Sequence, residues 1–341
     1  MDSSNLSKMN QTYTDIVSDN VYKDVCKDCF NELKNFTRVS SLVFYFLTFI
    51  LGVPGNAFVV YVAGLKMKRT VKTVGFLNLA IADLLCCLST IYYITKRAIG
   101  DWPYGSIMCK IFPFIMFITM FASVFTLSLI SLDRFTQVIT PVWAQNHRSL
   151  FIARLSCATA WILASILSLP FMMLAKFQTI KNGSYCLFHE LDEYHLKLYG
   201  GFSIIRFVFG FLVPLICITA CYGFIAHKLG KSQFNTGRAF RIMFAVIVAF
   251  FLCWLSYHIV DLIIIYDVKS SSHVAVAWAV YPLTFSLAYF NSCLNPILYV
   301  FMGQDFKSNV KLSLRRIFER VFSEEGAQAS QSTQSQHTHS V

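Results

Sequence analysis

The chain of 341 residues is 56% hydrophobic and only 14% charged, and it carries 33 Phe. A soluble domain of this length needs far more surface charge, and a large buried α/β enzyme is excluded because the apolar residues come in long uninterrupted runs. The net charge of +11 is spread over separate short segments, which argues against a nucleic-acid footprint.

The N-terminal tail, 1–38, is polar. It holds Asn-x-Ser/Thr sequons at Asn5, Asn10 and Asn35, together with Cys26 and Cys29. No cleavable leader precedes the first apolar run, so that run is expected to act as its own insertion signal. It covers about 39–64, and six more follow at 71–97, 106–138, 149–174, 199–228, 238–265 and 274–300. Each exceeds the roughly 20 apolar residues a helix needs to cross hydrocarbon, so tilts and extensions into water are expected. Alternating strands of the barrel type are absent. The predicted fold is an all-α membrane protein, a seven-transmembrane helix bundle over 39–300.

After Gly303, Phe306, Val310, Leu314, Ile317 and Val321 oppose Lys307, Lys311, Arg315 and Arg316. This predicts an amphipathic eighth helix, 303–321, lying in the membrane interface. No Cys follows Cys293, so a palmitoyl anchor there is not expected. The last stretch, 322–341, is Ser/Thr-rich and is expected to be disordered. Its Ser323, Ser330, Ser332, Thr333, Ser335, Thr338 and Ser340 are either phosphorylation sites or parts of a passive polar tail.

Basic residues orient the bundle. Lys66, Lys68 and Arg69, then His147 and Arg148, then Lys228, Lys231, Arg238 and Arg241, then the tail cations all fall on one side, expected to be the cytosol. The N-terminus is then extracellular and the C-terminus cytoplasmic, in a multi-pass plasma-membrane protein. The sequons agree, because Asn182, after the fourth run, shares the outer side with Asn5, Asn10 and Asn35. Cysteines divide likewise: Cys26, Cys29, Cys109 and Cys186 lie on the oxidising side, and the other seven fall within spans. Cys109 and Cys186 are a candidate disulfide. Cys26 and Cys29 pair locally, pair with another chain, or stay reduced.

Ionisable groups are costly in a bilayer, so each is a functional candidate. Asp83 lies mid-span, with Ser123, Asn291 and Asn295 at similar depth in other helices. Carboxylate, hydroxyl and amide oxygens suit a small hard cation, sodium, as an allosteric modulator; the alternative is a protonated Asp that holds helices together. Arg206 lies near the outer end of the fifth run and Asp261 near that of the sixth. Trp254, His258 and Asp261 share one helical face, with Tyr257 close to it. If that face points inward, Arg206 and Asp261 stand at the mouth of an outward-opening cavity suited to a peptide terminus. Snorkelling of Arg206 and hydration of Asp261 at a helix end are the competing readings. Asp133-Arg134 at the end of the third run reads, alone, as an ordinary solvated ion pair. Pro141, Pro170, Pro214 and Pro296 fall in or near spans, and Asn295-Pro296 predicts a break in the seventh helix.

No nucleophile or metal-ligand constellation is present, so no enzyme is expected and no cofactor beyond the sodium ion. A transporter lines a path with charge, whereas here only Asp83 lies deep. The seventh run offers no Lys for retinal in Ser286-Leu287-Ala288-Tyr289.

Together the residues resemble rhodopsin-like (class A) G-protein-coupled receptors over nearly all of 39–320. The motifs are Gly55-Asn56, Leu79-Ala80-Ile81-Ala82-Asp83, Cys109, Asp133-Arg134-Phe135, Trp161, Pro214 with Tyr222, Cys253-Trp254 and Asn295-Pro296-Ile297-Leu298-Tyr299. The resemblance implies that Arg134 contacts a G protein once the sixth helix swings outward. It implies that Tyr222 and Tyr299 steady that open state and that Trp254 couples the ligand pocket to the sixth helix. Asp83, Ser123, Asn291 and Asn295 match the family's sodium site.

Narrower likenesses point to the chemoattractant group. Val62–Val71, Ala82–Ser89, Trp102-Pro103-Tyr104-Gly105 and Met120–Phe125 resemble complement anaphylatoxin receptors, most closely the third-component type. Pro141–Arg148, Phe290–Asn295 and Gly303–Phe306 resemble formyl-peptide receptors as much. Both groups imply an extracellular peptide ligand, an inhibitory-type heterotrimeric G protein, receptor kinases and arrestin acting on the tail, and a lipid setting. Arg206 matches an arginine both groups share. Ser256 replaces a usual proline, which implies a straighter sixth helix, and Phe135 replaces a usual tyrosine. Tyr281 stands where anaphylatoxin receptors carry an acid that meets the ligand's terminal arginine; either Asp261 takes over that role or the ligand differs. The first expectation is an anaphylatoxin receptor in chemotaxis and inflammation. The alternatives are a formyl-peptide receptor and a non-signalling scavenger.

Overall fold

The computed structural model describes residues 27–99, 102–180, 183–187, 193–233, 238–266 and 271–296. Tyr299, Asn5, Asn10, Asn182, Cys26, the predicted eighth helix at 303–321 and the tail at 322–341 lie outside them. Among the described residues, seven helices are long and apolar enough to cross a membrane: Cys29–Lys66, Val71–Lys96, Gly105–Ile139, Leu150–Leu174, Lys197–Lys228, Ile247–Tyr266 and Ser272–Cys293. The first is helical from Lys27 rather than from residue 39, and the fifth from Glu193 rather than 199. These outer turns are too polar to register as membrane sequence, yet their backbone hydrogen bonds continue the helices.

Prolines shape the bundle. Pro54 and Pro214 each follow a π turn, Thr48–Gly52 and Val208–Leu212. Proline has no N–H and crowds the carbonyl four residues back, so a widened turn just before it relieves both strains. The N–H of Val213 reaches Val208 O, and the N–H of Val53 reaches Phe49 O. Both turns also carry a glycine at a crossing: a Cβ on Gly52 stands 2.4 Å from Cys87 Sγ, and one on Gly210 stands 2.8 Å from Met120 Cε. The seventh helix is regular over Ser271–Phe290 and then tightens into a 3₁₀ turn, Asn291–Cys293, just before Asn295-Pro296. The sixth runs without a proline over Arg238–Tyr266, and Ser256 Oγ donates back to Cys253 O at 2.9 Å.

Two elements are additional to the predicted all-α bundle. A short helix, Pro141–His147, follows the third span, with its proline in the first turn where no N–H is needed. An antiparallel hairpin, β1 (Lys176–Ile180) and β2 (Gly183–Leu187), covers the Cys109 end of the third span, the side expected to be outer. The Cys109–Cys186 disulfide fastens it there. Trp102 braces it, its N–H donating to Ser184 O at 2.9 Å and its Nε1 to Gly105 O at 2.7 Å. Large apolar side chains such as Leu65, Phe151, Ile166, Met173 and Leu252 stay on the outside, which a lipid solvent permits. The interior is an aromatic column, including Tyr45, Tyr93, Tyr289, Phe285, Tyr257 and Trp254.

Candidate ligand pocket and core polar network

Arg206 is fully buried in the half of the bundle that carries the hairpin, and it pairs with Asp261. The expectation that both stand at a cavity mouth is therefore corrected. The i, i+4, i+7 spacing gave the face correctly, with Trp254, Tyr257, His258 and Asp261 all buried, but it carries no information on what the fifth helix brings opposite. Arg206 Nη2 donates to Asp261 Oδ2 and, at 3.2 Å, to Ser203 Oγ. The Tyr199 hydroxyl donates to Asp261 Oδ1 at 3.0 Å. Asp261 thus has both oxygens engaged within the bundle.

The guanidinium lies 4.8 Å from the Phe117 ring centroid and 5.1 Å from those of Phe171 and Tyr257. Cation–π attraction to three rings partly replaces the hydration lost. Arg206 Nε and Nη1 have no hydrogen-bond acceptor among the described residues, and neither does Trp254 Nε1. Buried donors without acceptors are rare and mark a place where a partner belongs. Tyr281 packs on the same cluster, 5.9 Å from Tyr257 and stacked on Phe285 at 5.5 Å. Tyr199 and Ser203 were missed by sequence reasoning, although they precede Arg206 by seven and three residues and so share its face.

Deeper in the core, Asp83 Oδ1 accepts from Ser123 Oγ at 3.1 Å and Oδ2 from Asn295 Nδ2 at 2.6 Å. Asn291 lies one turn before Asn295 and is buried. The Oδ1 atoms of both amides have no partner among the described residues. A carboxylate beside orphaned amide oxygens fits a small hard cation. Asn56, missed as a network member, donates to Gly52 O and Ser292 O, both at 3.0 Å, and so joins the first span to the seventh.

At the inner end, Asp133 does not pair with its neighbour Arg134. Its carboxylate takes Arg148 Nε at 2.7 Å and Nη2 at 3.1 Å, plus Gln137 Nε2 at 2.7 Å. Arg134 is left without an ion pair among the described residues and lines a cleft of about 440 Å³ with Asp133 and Arg148. Phe135 packs edge-on to Phe224 at 5.9 Å, and Lys228 Nζ donates to Ile139 O at 2.9 Å, so the third and fifth spans are tied here. Tyr222 is buried, Trp254 lies under the Arg206 cluster, and Pro296 packs on Gly55, where an added Cβ stands 3.2 Å from its Cγ. Asn35 is exposed on the first helix and Cys29 is an exposed free thiol.

The family model described as "7 transmembrane receptor (rhodopsin family)" matches residues 55–299. The chain belongs to the rhodopsin family of seven-transmembrane receptors. The receptor is therefore a multi-pass membrane protein of a receptor family, not of an enzyme family. It is 60% identical to the C3a anaphylatoxin chemotactic receptor of Danio rerio over 341 aligned residues, covering 98% of this chain and 92% of the relative. It is 50% identical to the receptor of the same name from Oncorhynchus mykiss over 84% of this chain and 80% of the relative. Human N-formyl peptide receptor 2 is 40% identical over 85% of this chain and 87% of the relative.

Proposed function

We propose that this receptor is activated by C3a or a related anaphylatoxin, with Arg206 receiving a carboxylate of the peptide, and that it signals through an inhibitory-type heterotrimeric G protein. The observation that carries the reading is the Arg206 guanidinium, held by aromatic rings in the outer half of the bundle with two nitrogens lacking an acceptor among the described residues. Identity to the two C3a receptors, above that to the formyl peptide receptor, supports the ligand class.

The outer side is assigned as the one holding the Cys109–Cys186 hairpin and the sequons at Asn5, Asn10, Asn35 and Asn182, and the inner side as the one holding the basic loops. Ligand favours the state in which the sixth helix has moved and Arg134 is open to the G protein; the G protein favours the same state, so each raises the other's affinity. Trp254, packed on His258 at 6.2 Å and Phe250 at 6.1 Å, is the link between pocket and sixth helix. Tyr222, Tyr299 and Pro296 take part in the rearrangement. Sodium, where bound by Asp83, Ser123, Asn291 and Asn295, supplies a positive charge that stabilises the inactive packing. The Ser/Thr-rich tail is the substrate of receptor kinases and the docking segment for arrestin.

The test is nucleotide exchange in membranes expressing the receptor, against a panel of C3a, C5a and formylated peptides. Exchange with C3a at lower doses than with the others is the expected result. Exchange driven only by formylated peptide moves the receptor to that group. Arrestin recruitment without exchange makes it a scavenger.

A further inference from the structure

We infer that Asp261 is an internal competitor for the ligand's carboxylate: it holds an N–H and offsets the charge of the Arg206 guanidinium at the nitrogen that both two-point carboxylate contacts use, and thereby sets the receptor's selectivity for peptides with a free C-terminus. This rests on the reading above, that Arg206 is the carboxylate site.

The argument is one of covalent geometry. A guanidinium offers a carboxylate two productive pairs of donors, the side pair Nε with Nη2 and the end pair Nη1 with Nη2. Nη2 belongs to both pairs and lends one of its two N–H groups to each. It is the atom that donates to Asp261 Oδ2, and Ser203 Oγ draws on it as well. Nε and Nη1, the remaining halves of the two pairs, have no acceptor among the described residues. An incoming carboxylate can touch Nε or Nη1 singly while both acceptors stay; displacing Ser203 alone completes a two-bond contact but leaves two carboxylates on one guanidinium, so the contact reaches full strength only when Asp261 leaves Nη2. Asp261 keeps one hydrogen bond in the exchange, because Tyr199 still donates to its other oxygen at 3.0 Å. An amidated terminus carries no charge to compete with Asp261 and cannot drive the exchange. Arg206 is on the fifth span and Asp261 on the sixth, so the same exchange cuts an ion pair between those two helices. Ligand recognition and release of the sixth helix then become one event.

The experiment compares a synthetic carboxy-terminal C3a peptide as free acid and as amide, in nucleotide exchange, at matched surface expression. Wild type favours the free acid. Asp261→Asn removes the competitor, so free-acid potency rises by about tenfold or more while amide potency changes little, and the acid-to-amide ratio widens; basal exchange also rises. Tyr199→Phe takes away the partner that receives displaced Asp261, so the ratio narrows. Opposite shifts from two variants on the same carboxylate are not produced by a loss of packing. Arg206→Gln removes the ratio altogether. A ratio unchanged or narrowed in Asp261→Asn, with Arg206→Gln still abolishing it, overturns the competitor role and leaves Arg206 as the ligand site. Equal potency of acid and amide on wild type and on Arg206→Gln overturns both.

Discussion

Arg206 and Asp261 are each affordable in this bundle only because of the other. A buried pair stripped of one partner leaves an uncompensated charge, at a cost of about 3–5 kcal/mol. Arg206→Ala is therefore expected to reduce surface expression as well as to raise the half-maximal peptide dose. The double variant Arg206→Gln/Asp261→Asn is expected to recover expression, read by surface immunolabelling, without recovering potency. Recovery of both places Arg206 in the fold alone. Asp133 makes a weaker bond: its partner Arg148 is 29% exposed at the side chain. Exposed pairs contribute about 1 kcal/mol at most, so Arg148→Ala is expected to raise ligand-independent nucleotide exchange by up to about fivefold. A fall in basal exchange contradicts a restraining role for this pair. Both partnerships were illegible in the sequence, since residues 15 or 55 positions apart are matched only by how helices pack. That each of these side chains was unusual for its solvent was legible, because position in an apolar run fixes the solvent.

The helices carry their own devices. Gly52 and Gly210 sit in π turns at close crossings, so a side chain at either must push a neighbouring span aside. Gly52→Val is expected to cost about 1–3 kcal/mol, the range for overpacking a tight core, and to lower the temperature at which detergent-solubilised receptor loses ligand binding. Unchanged thermostability means that the crossing is looser than described. The hairpin depends on Cys186. Loss of a native disulfide costs about 2–5 kcal/mol, and Cys186→Ser is expected to abolish surface expression or peptide binding while leaving the seven spans inserted. Full binding in this variant shows the hairpin to be dispensable. Helix existence and approximate extent could be read from the apolar runs. The π turns, the loop helix and the hairpin could not, because they answer contacts with other segments: Cys87 against Gly52, Met120 against Gly210, Cys109 against Cys186.

Across the whole molecule, the Arg206 cluster, the central Asp83 network and the Arg134 end lie at successive depths of one bundle, and the fifth, sixth and seventh spans connect them. Asp83→Asn removes the carboxylate from the central site. In wild type, replacing choline by sodium in the medium is expected to weaken agonist binding; in Asp83→Asn the two salts are expected to give the same affinity. A sodium effect that survives the substitution excludes these oxygens as the site. The placement of Asp83, Ser123 and Asn295 in one hydrogen-bonded group was anticipated from their equal depth, whereas the contribution of Asn56 was not, because its two acceptors are backbone carbonyls with no sequence signature.

Amino-acid order alone determined that this chain crosses lipid seven times, which loops are basic, and which few polar groups are forced into hydrocarbon, because transfer from water to hydrocarbon acts on each side chain where it stands. Only the packed bundle decided who meets whom. Asp261 was free to serve a ligand until the fifth helix placed Arg206 against it, and Asp133 was Arg134's neighbour until the loop helix brought Arg148 closer. Pairing depends on helix rotation and crossing, and those are set by the summed contacts of many side chains rather than by any local pattern.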